Sequence, residues 1–183
     1  MRLLGSFLTT AVLLATLTAC AQPDPPITRA WAPASTPVFA SEEDALAAAE
    51  EAYALYLEMS DLIASEGGAN PERLAALVTK AQFAIEEQGF ALYQDNQWVT
   101  TGHSKFDQFT LQSYSPSDTG ANALAAYLCY DATALRIIDD AGVDVSPESV
   151  PLRQTLEVFF VTEGPTSNRF LIESAGIWDS SSC

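Results

Sequence analysis

Trp98-Val99-Thr100-Thr101-Gly102-His103-Ser104-Lys105-Phe106-Asp107-Gln108-Phe109-Thr110-Leu111-Gln112-Ser113-Tyr114 is the stretch that decides the fold class. Over it, β-branched and aromatic side chains alternate with polar ones, the period-two pattern of a half-buried strand. Upstream the period is different. From Ser41, the residues Leu46, Ala49, Tyr53, Tyr56, Leu57 and Ile63 recur at helical spacing, and the helix is expected to end near Ser65, ahead of Gly67-Gly68. Ser41 is the expected N-cap. Glu42, Glu43 and Asp44 sit favourably against the helix dipole, with Asp44 completing a variant capping box. Asn70 with Pro71 and Glu72 predicts a second helix, burying Leu74, Leu77, Val78 and Ala81. A third helical piece spans about 82–94, carrying Phe83, Ile85, Phe90 and Leu92, with Gly89 as a candidate interruption.

Downstream the pattern stays β. Pro116 to Gly120 is a turn, and 123–134 is a strand holding Cys129, with 135–138 as a candidate continuation. After a loop with Pro147 and Pro151, residues 152–162 form a strand, 163–167 a hairpin turn, and 169–178 the last strand. Helices first and antiparallel strands afterwards predict an α+β domain over 41–183, with N-terminal helices packed on a curved sheet of about four strands.

The beginning of the chain is of another kind. Arg2 precedes an apolar run from Leu3 to Ala15, too short for a comfortable membrane span of roughly 20 residues but suited to a signal-peptide core. It ends in Leu17-Thr18-Ala19-Cys20, which resembles a bacterial lipoprotein box. That resemblance implies a signal peptide over 1–19, diacylglycerol on the Cys20 thiol and anchoring at the extracytoplasmic face of the cell membrane, two acyl chains giving a stable hold. The alternative is an ordinary secretory leader. Residues 20–40 form a tether stiffened by Pro23, Pro25, Pro26, Pro33 and Pro37. Trp31 and Phe39 in it pack on the domain or sit in the lipid interface.

The chain carries eight basic and 24 acidic residues, a net charge of −16. Such a surface repels nucleic acid and suits solubility outside the cell, a cation or a basic partner. With Cys20 set aside, Cys129 and Cys183 form an even pair that reads as a disulfide in an oxidising compartment, two free thiols being the alternative.

Tyr53 and Tyr56-Leu57 on a long first helix, a short helix after Gly-Gly, and strands closing on Ile177-Trp178-Asp179 resemble a nuclear-transport-factor-2-like (cystatin-like cone) domain. More narrowly, Cys129-Tyr130-Asp131 with a terminal cysteine after Trp-Asp resembles actinobacterial lipoproteins of unassigned function. The cone implies a first helix across the mouth of the sheet, forming a pocket. Tyr53, Tyr56, Phe109, Tyr127 and Trp178 either line that pocket or fill the core.

No catalytic set is legible. His103 is the single histidine, with Asp107 four residues on. Alternation puts Asp107, Phe109 and Leu111 on one face and Phe106 on the other, while Tyr127 and Asp131 share a face with Cys129. Asp107–Tyr127 and Asp131–Tyr53 pairs are conceivable pocket acids; solvent-facing or structural acids are the alternative. Asp139-Asp140 and Asp144 lack calcium-loop spacing, and neither a nucleophile elbow nor a phosphate loop occurs, so no metal or cofactor is expected. Three functional readings follow. The first is a lipid-anchored, non-catalytic binding or accessory module for an unknown protein or small apolar ligand. The others are a pocket-acid isomerase or cyclase, and an envelope interaction or immunity lipoprotein.

Overall fold

The structure, a computed structural model, describes residues 38–179 and 183. The leader, Cys20 and the tether as far as Pro37 lie outside the described residues, as do 180–182.

Helix α1 (Glu42–Ser65) begins where expected, with Ser41 Oγ accepting from Asp44 N at 3.1 Å. Its buried positions Ala45, Ala49, Tyr53 and Leu57 step by four, so one stripe faces the core. Gly67 and Gly68 end it with positive φ, and Gly68 N donates to Ile63 O at 2.8 Å. The second helix is shorter and tighter than the sequence suggests: a 3-10 segment, Pro71–Ala76. Asn70 adopts φ 52° and makes no side-chain cap, its carbonyl accepting from Arg73 instead. Val78 is not helical. Residues 77–79 run beside the last strand, with Thr79 N donating to Ile172 O and Ile172 N to Leu77 O. Helix α2 (Lys80–Asn96) is longer than expected and passes through Gly89 unbroken. Its core face is Gln82 and Phe90, leaving Ile85 and Leu92 exposed.

The strands are β1 (Val99–Thr101), β2 (Lys105–Ser115), β3 (Ala123–Asp131), β4 (Arg136–Ile138), β5 (Arg153–Thr162) and β6 (Phe170–Asp179). Strands β2-β3-β5-β6 form a curved antiparallel sheet in that order, and β1 pairs with β4 in a separate short ladder. The expected single strand over 98–114 is thus two, divided at Gly102 (φ 81°), and 136–138 leaves the β3 line to join β1. The domain is α+β, with helices on one face of a four-stranded sheet.

That inner face carries Leu124, Ala126, Leu128, Val158, Phe160 and Ile172, all nearly solvent-free against the α1 stripe. Each large side chain buried there contributes about 1.5–3 kcal/mol. Phe39 resolves one open alternative: it packs on the domain, stacked on Phe170 at 5.1 Å and edge-on to Tyr114 at 6.2 Å.

Strand β2 departs from simple alternation. Its register shifts between Asp107 and Thr110 and again between Leu111 and Ser113, and Gln108 sits at φ 55°. Each bulge adds a residue and reverses the parity. Phe106, Phe109, Leu111 and Tyr114 therefore all reach the core, while Asp107 is exposed. The expected grouping of Asp107 with Phe109, opposite Phe106, is corrected accordingly.

Candidate functional site

The five aromatic residues singled out in the sequence fall on two faces of the sheet. Tyr53, Tyr56 and Phe109 lie on the helix side. Tyr53 is 1% exposed, with Phe106 edge-on at 5.0 Å and Phe109 at 6.4 Å. Phe109 meets Phe160 at 6.0 Å, so aromatic rings fill this side. The Tyr56 hydroxyl donates to Glu86 Oε1 at 2.7 Å, and Gln82 Nε2 donates to the same oxygen at 2.8 Å. Burial first, followed by Tyr130 and then Glu86 at Tyr53 and by the Glu86 charge at Tyr56, pushes both phenols well above their ordinary range, so both stay protonated. Tyr127 and Trp178 sit on the outer face, their ring centroids 4.9 Å apart and tilted by 50°.

The lone histidine lines a groove with Asp61, not with Asp107. A groove of about 400 Å³ runs between α1 and the start of β2, lined by Leu57, Glu58, Asp61, His103, Ser104 and Phe106. Asp61 accepts from Ser104 N at 2.8 Å and from Ser104 Oγ at 2.7 Å. Two donors from one residue occupy this carboxylate, and they fix the entry of β2 against the helix. His103 is exposed at the rim. The nearby Tyr130 phenol is raised mainly by burial and held back by a hydrogen bond with Ser104. Asp61 carried no sequence signal, because its partner is 43 residues away.

Asp107 and Asp131 are both engaged by Arg153 on the outer face. Its guanidinium donates to Asp131 Oδ2 at 2.6 Å, to Asp107 Oδ2 at 3.1 Å and to Cys129 Sγ at 3.0 Å. The Thr133 hydrogen bonds first, then Arg153, hold the Asp131 carboxyl down to about 2. The conceivable Asp131–Tyr53 pair does not form, since the sheet stands between them. Cys129 and Cys183 lie at disulfide distance, S–S 1.98 Å and Cα–Cα 5.9 Å, so the last residue is fastened to β3. Asp139 and Asp144 accept from backbone N–H groups of their own turns, and Asp144 faces Arg136 at 3.6 Å.

Beside the cysteine pair is a second recess, of about 290 Å³, lined by Gln108, Thr110, Tyr127, Thr155, Trp178 and Cys183. Two irregularities shape it. Gln108 is the left-handed residue of the first β2 bulge, and Trp178 is the extra residue where β6 slips against β5, between the Thr155–Asp179 and Leu156–Ile177 pairs. Glu157 and Gln112 flank the Tyr127 hydroxyl, whose pKa is raised by loss of solvent and then by the Glu157 charge.

The fold and these sites define a small α+β domain with an aromatic-filled helix side and surface recesses that include the α1–β2 groove and the one beside the cysteine pair. No family model matches the chain, and no curated protein matches it. Among solved structures it is similar to the intermembrane space region of the chloroplast protein ARC6, at 12% identity and a TM-score of 0.52, over 72% of this chain and 95% of that one. At that identity the likeness is one of fold alone.

Proposed function

We propose that the chain is a lipid-anchored extracytoplasmic binding or accessory module that carries out no reaction of its own, built on a nuclear-transport-factor-2-like cone and akin to actinobacterial lipoproteins of unassigned function. The observation that carries the binding reading is the filling of the helix side by Tyr53, Phe106, Phe109 and Phe160, which directs recognition to the surface recesses. Three acids near the recesses have partners, Asp61 in Ser104 and Asp107 and Asp131 in Arg153, while Glu58 also lines the α1–β2 groove and Glu157 stands beside the Tyr127 hydroxyl. The anchor rests on Leu17-Thr18-Ala19-Cys20 behind its apolar run. The mature protein is then joined to the membrane through Cys20, and its partner is a protein or a small ligand rather than a nucleic acid.

Two measurements on protein extracted from its own membrane test this. Radioactive palmitate is expected to label the parent and not Cys20→Ala; labelling that persists in the variant refutes the anchor. The native mass is expected to exceed the denatured mass by a bound ligand or partner; equality of the two refutes stable binding. A second reading, the pocket-acid enzyme, is favoured by one observation, the convergence of Asp61 and His103 on the α1–β2 groove. Turnover that Asp61→Ala abolishes would establish it.

A further inference from the structure

We propose that the outer-face recess around Trp178 and Tyr127 is a binding site for an uncharged pyranose glycan. The proposal rests on the reading of the chain as a binding module and adds the class of ligand.

Three observations converge on it. The first is the platform. Trp178 is 57% exposed, an unusual position for the largest amphipathic side chain, and it lies against Tyr127 with centroids 4.9 Å apart. A pyranose ring has one face of C–H groups, weakly positive, and a rim of hydroxyls. The C–H face matches the negative face of an indole. A quaternary ammonium would need the two rings spread around it. Rings already in contact leave no such space, so the ligand lies on the outward side of the pair.

The second is the surround. Gln108, Thr110 and Thr155 offer an amide and two hydroxyls, all uncharged and able both to donate and to accept. These three side chains carry no charge in a chain of net charge −16. Asp107, Asp131 and Arg153 neutralise one another in part at one end, acidic charge stands at the edge in Glu157, beside the Tyr127 hydroxyl, and a further acidic residue, Asp179, pairs with Thr155 in the sheet. An anionic sugar would be repelled, whereas neutral hydroxyls find partners. The volume of about 290 Å³ lies near the lower end of small-molecule sites, enough for one ring to seat while its neighbours extend along the sheet.

The third is the backbone. Gln108 holds φ 55°, a conformation that disfavours any residue with a Cβ. Trp178 is itself a bulge residue in the strand on the opposite side of the recess. Bulges re-aim side chains, and strained residues persist where the surroundings hold them for a task. Here both aim at one recess, whose wall is fixed by Cys183 on Cys129.

The test uses the full chain purified in a detergent without a sugar headgroup. Calorimetric titration with tetrasaccharides of glucose, of mannose and of N-acetylglucosamine is expected to give saturable binding for at least one, with Kd on the order of 1 mM or tighter. Trp178→Ala is expected to weaken it by about tenfold or more. Gln108→Gly preserves the bulge and removes the amide; it is expected to weaken binding several-fold with the fold intact by circular dichroism. Absence of saturable binding for all three sugars up to about 10 mM overturns the proposal, as does binding that Trp178→Ala leaves unchanged. Saturation by a proline-rich peptide with no response to sugars also overturns it. A ligand retained in the native mass spectrum of Trp178→Ala would keep the binding-module reading and reject this site.

Discussion

Replacing Cys183 by serine opens the closure on which the end of the chain depends, and its cost follows from the loop it encloses. Cys129 and Cys183 are separated by 54 residues. Closing a loop of that length removes about 14 cal/mol/K from the unfolded chain, or about 4 kcal/mol near 25 °C. Little else changes, because Cys183 is exposed while Cys129 keeps its buried place on β3. Residual compactness of the unfolded chain lowers the figure somewhat. Against a typical domain stability of about 5–15 kcal/mol the variant still folds, though with much less margin. In urea under non-reducing conditions its midpoint is expected about 1.5–2 M below the parent, with a steeper slope because the opened chain exposes more surface. Reductant is expected to bring the parent to the same midpoint. If Cys183→Ser unfolds within about 0.5 M of the parent, or reductant leaves the parent unmoved, the loop-closure account is wrong.

Gly68→Ala places a Cβ against the Phe90 carbonyl oxygen at a residue with φ 77°, so the α1 terminus and α2 cannot both keep their places. Insoluble expression or a loss of more than about 3 kcal/mol is expected, and a soluble variant of parental urea midpoint would contradict the contact. Asp61→Ala leaves the buried Ser104 N–H and hydroxyl without their acceptor and is expected to cost about 1–3 kcal/mol by urea unfolding. Asp131 is held down to about 2 against an ordinary value of 3.8. Its depressed pKa contributes stability that is fully present above the ordinary value and is lost as pH falls through the folded one. Stability measured from about pH 4 to pH 2 is therefore expected to fall less steeply in Asp131→Asn than in the parent, and parallel curves would refute the assignment.

The secondary structure was largely legible because its signals are local. The α1 stripe, the Ser41 cap and the Gly67-Gly68 stop follow from side-chain spacing and backbone freedom within a few residues. The short second helix was harder to read. Asn70-Pro71-Glu72 has the chemistry of an N-terminus, but 77–79 gains more by bonding to Ile172 than by continuing as helix. Ile85 and Leu92 are in the helix as expected, yet the face of α2 that turns inward is the one with Gln82, Glu86 and Phe90. A side chain's exposure depends on what the helix packs against.

The site was less legible, for the same physical reason. Tyr127, Cys129 and Asp131 share a face as simple alternation predicts, since β3 pairs with β5 residue for residue and the extra residues of its β2 pairing lie on β2. Strand β2 contains two bulges, whose positions depend on twist and on the partner strand, and each reverses which residues face the core. Phe106 thereby joined Phe109 in the core, and Asp107 was delivered to Arg153. By itself the sequence determined the α+β class, the order of helices and strands, and the cysteine pair, because these follow from periodicity and residue chemistry along the chain. Only the tertiary structure decided that Asp61 meets Ser104 and that Trp178 and Gln108 frame one recess, because those meetings join residues far apart in the chain through strand register.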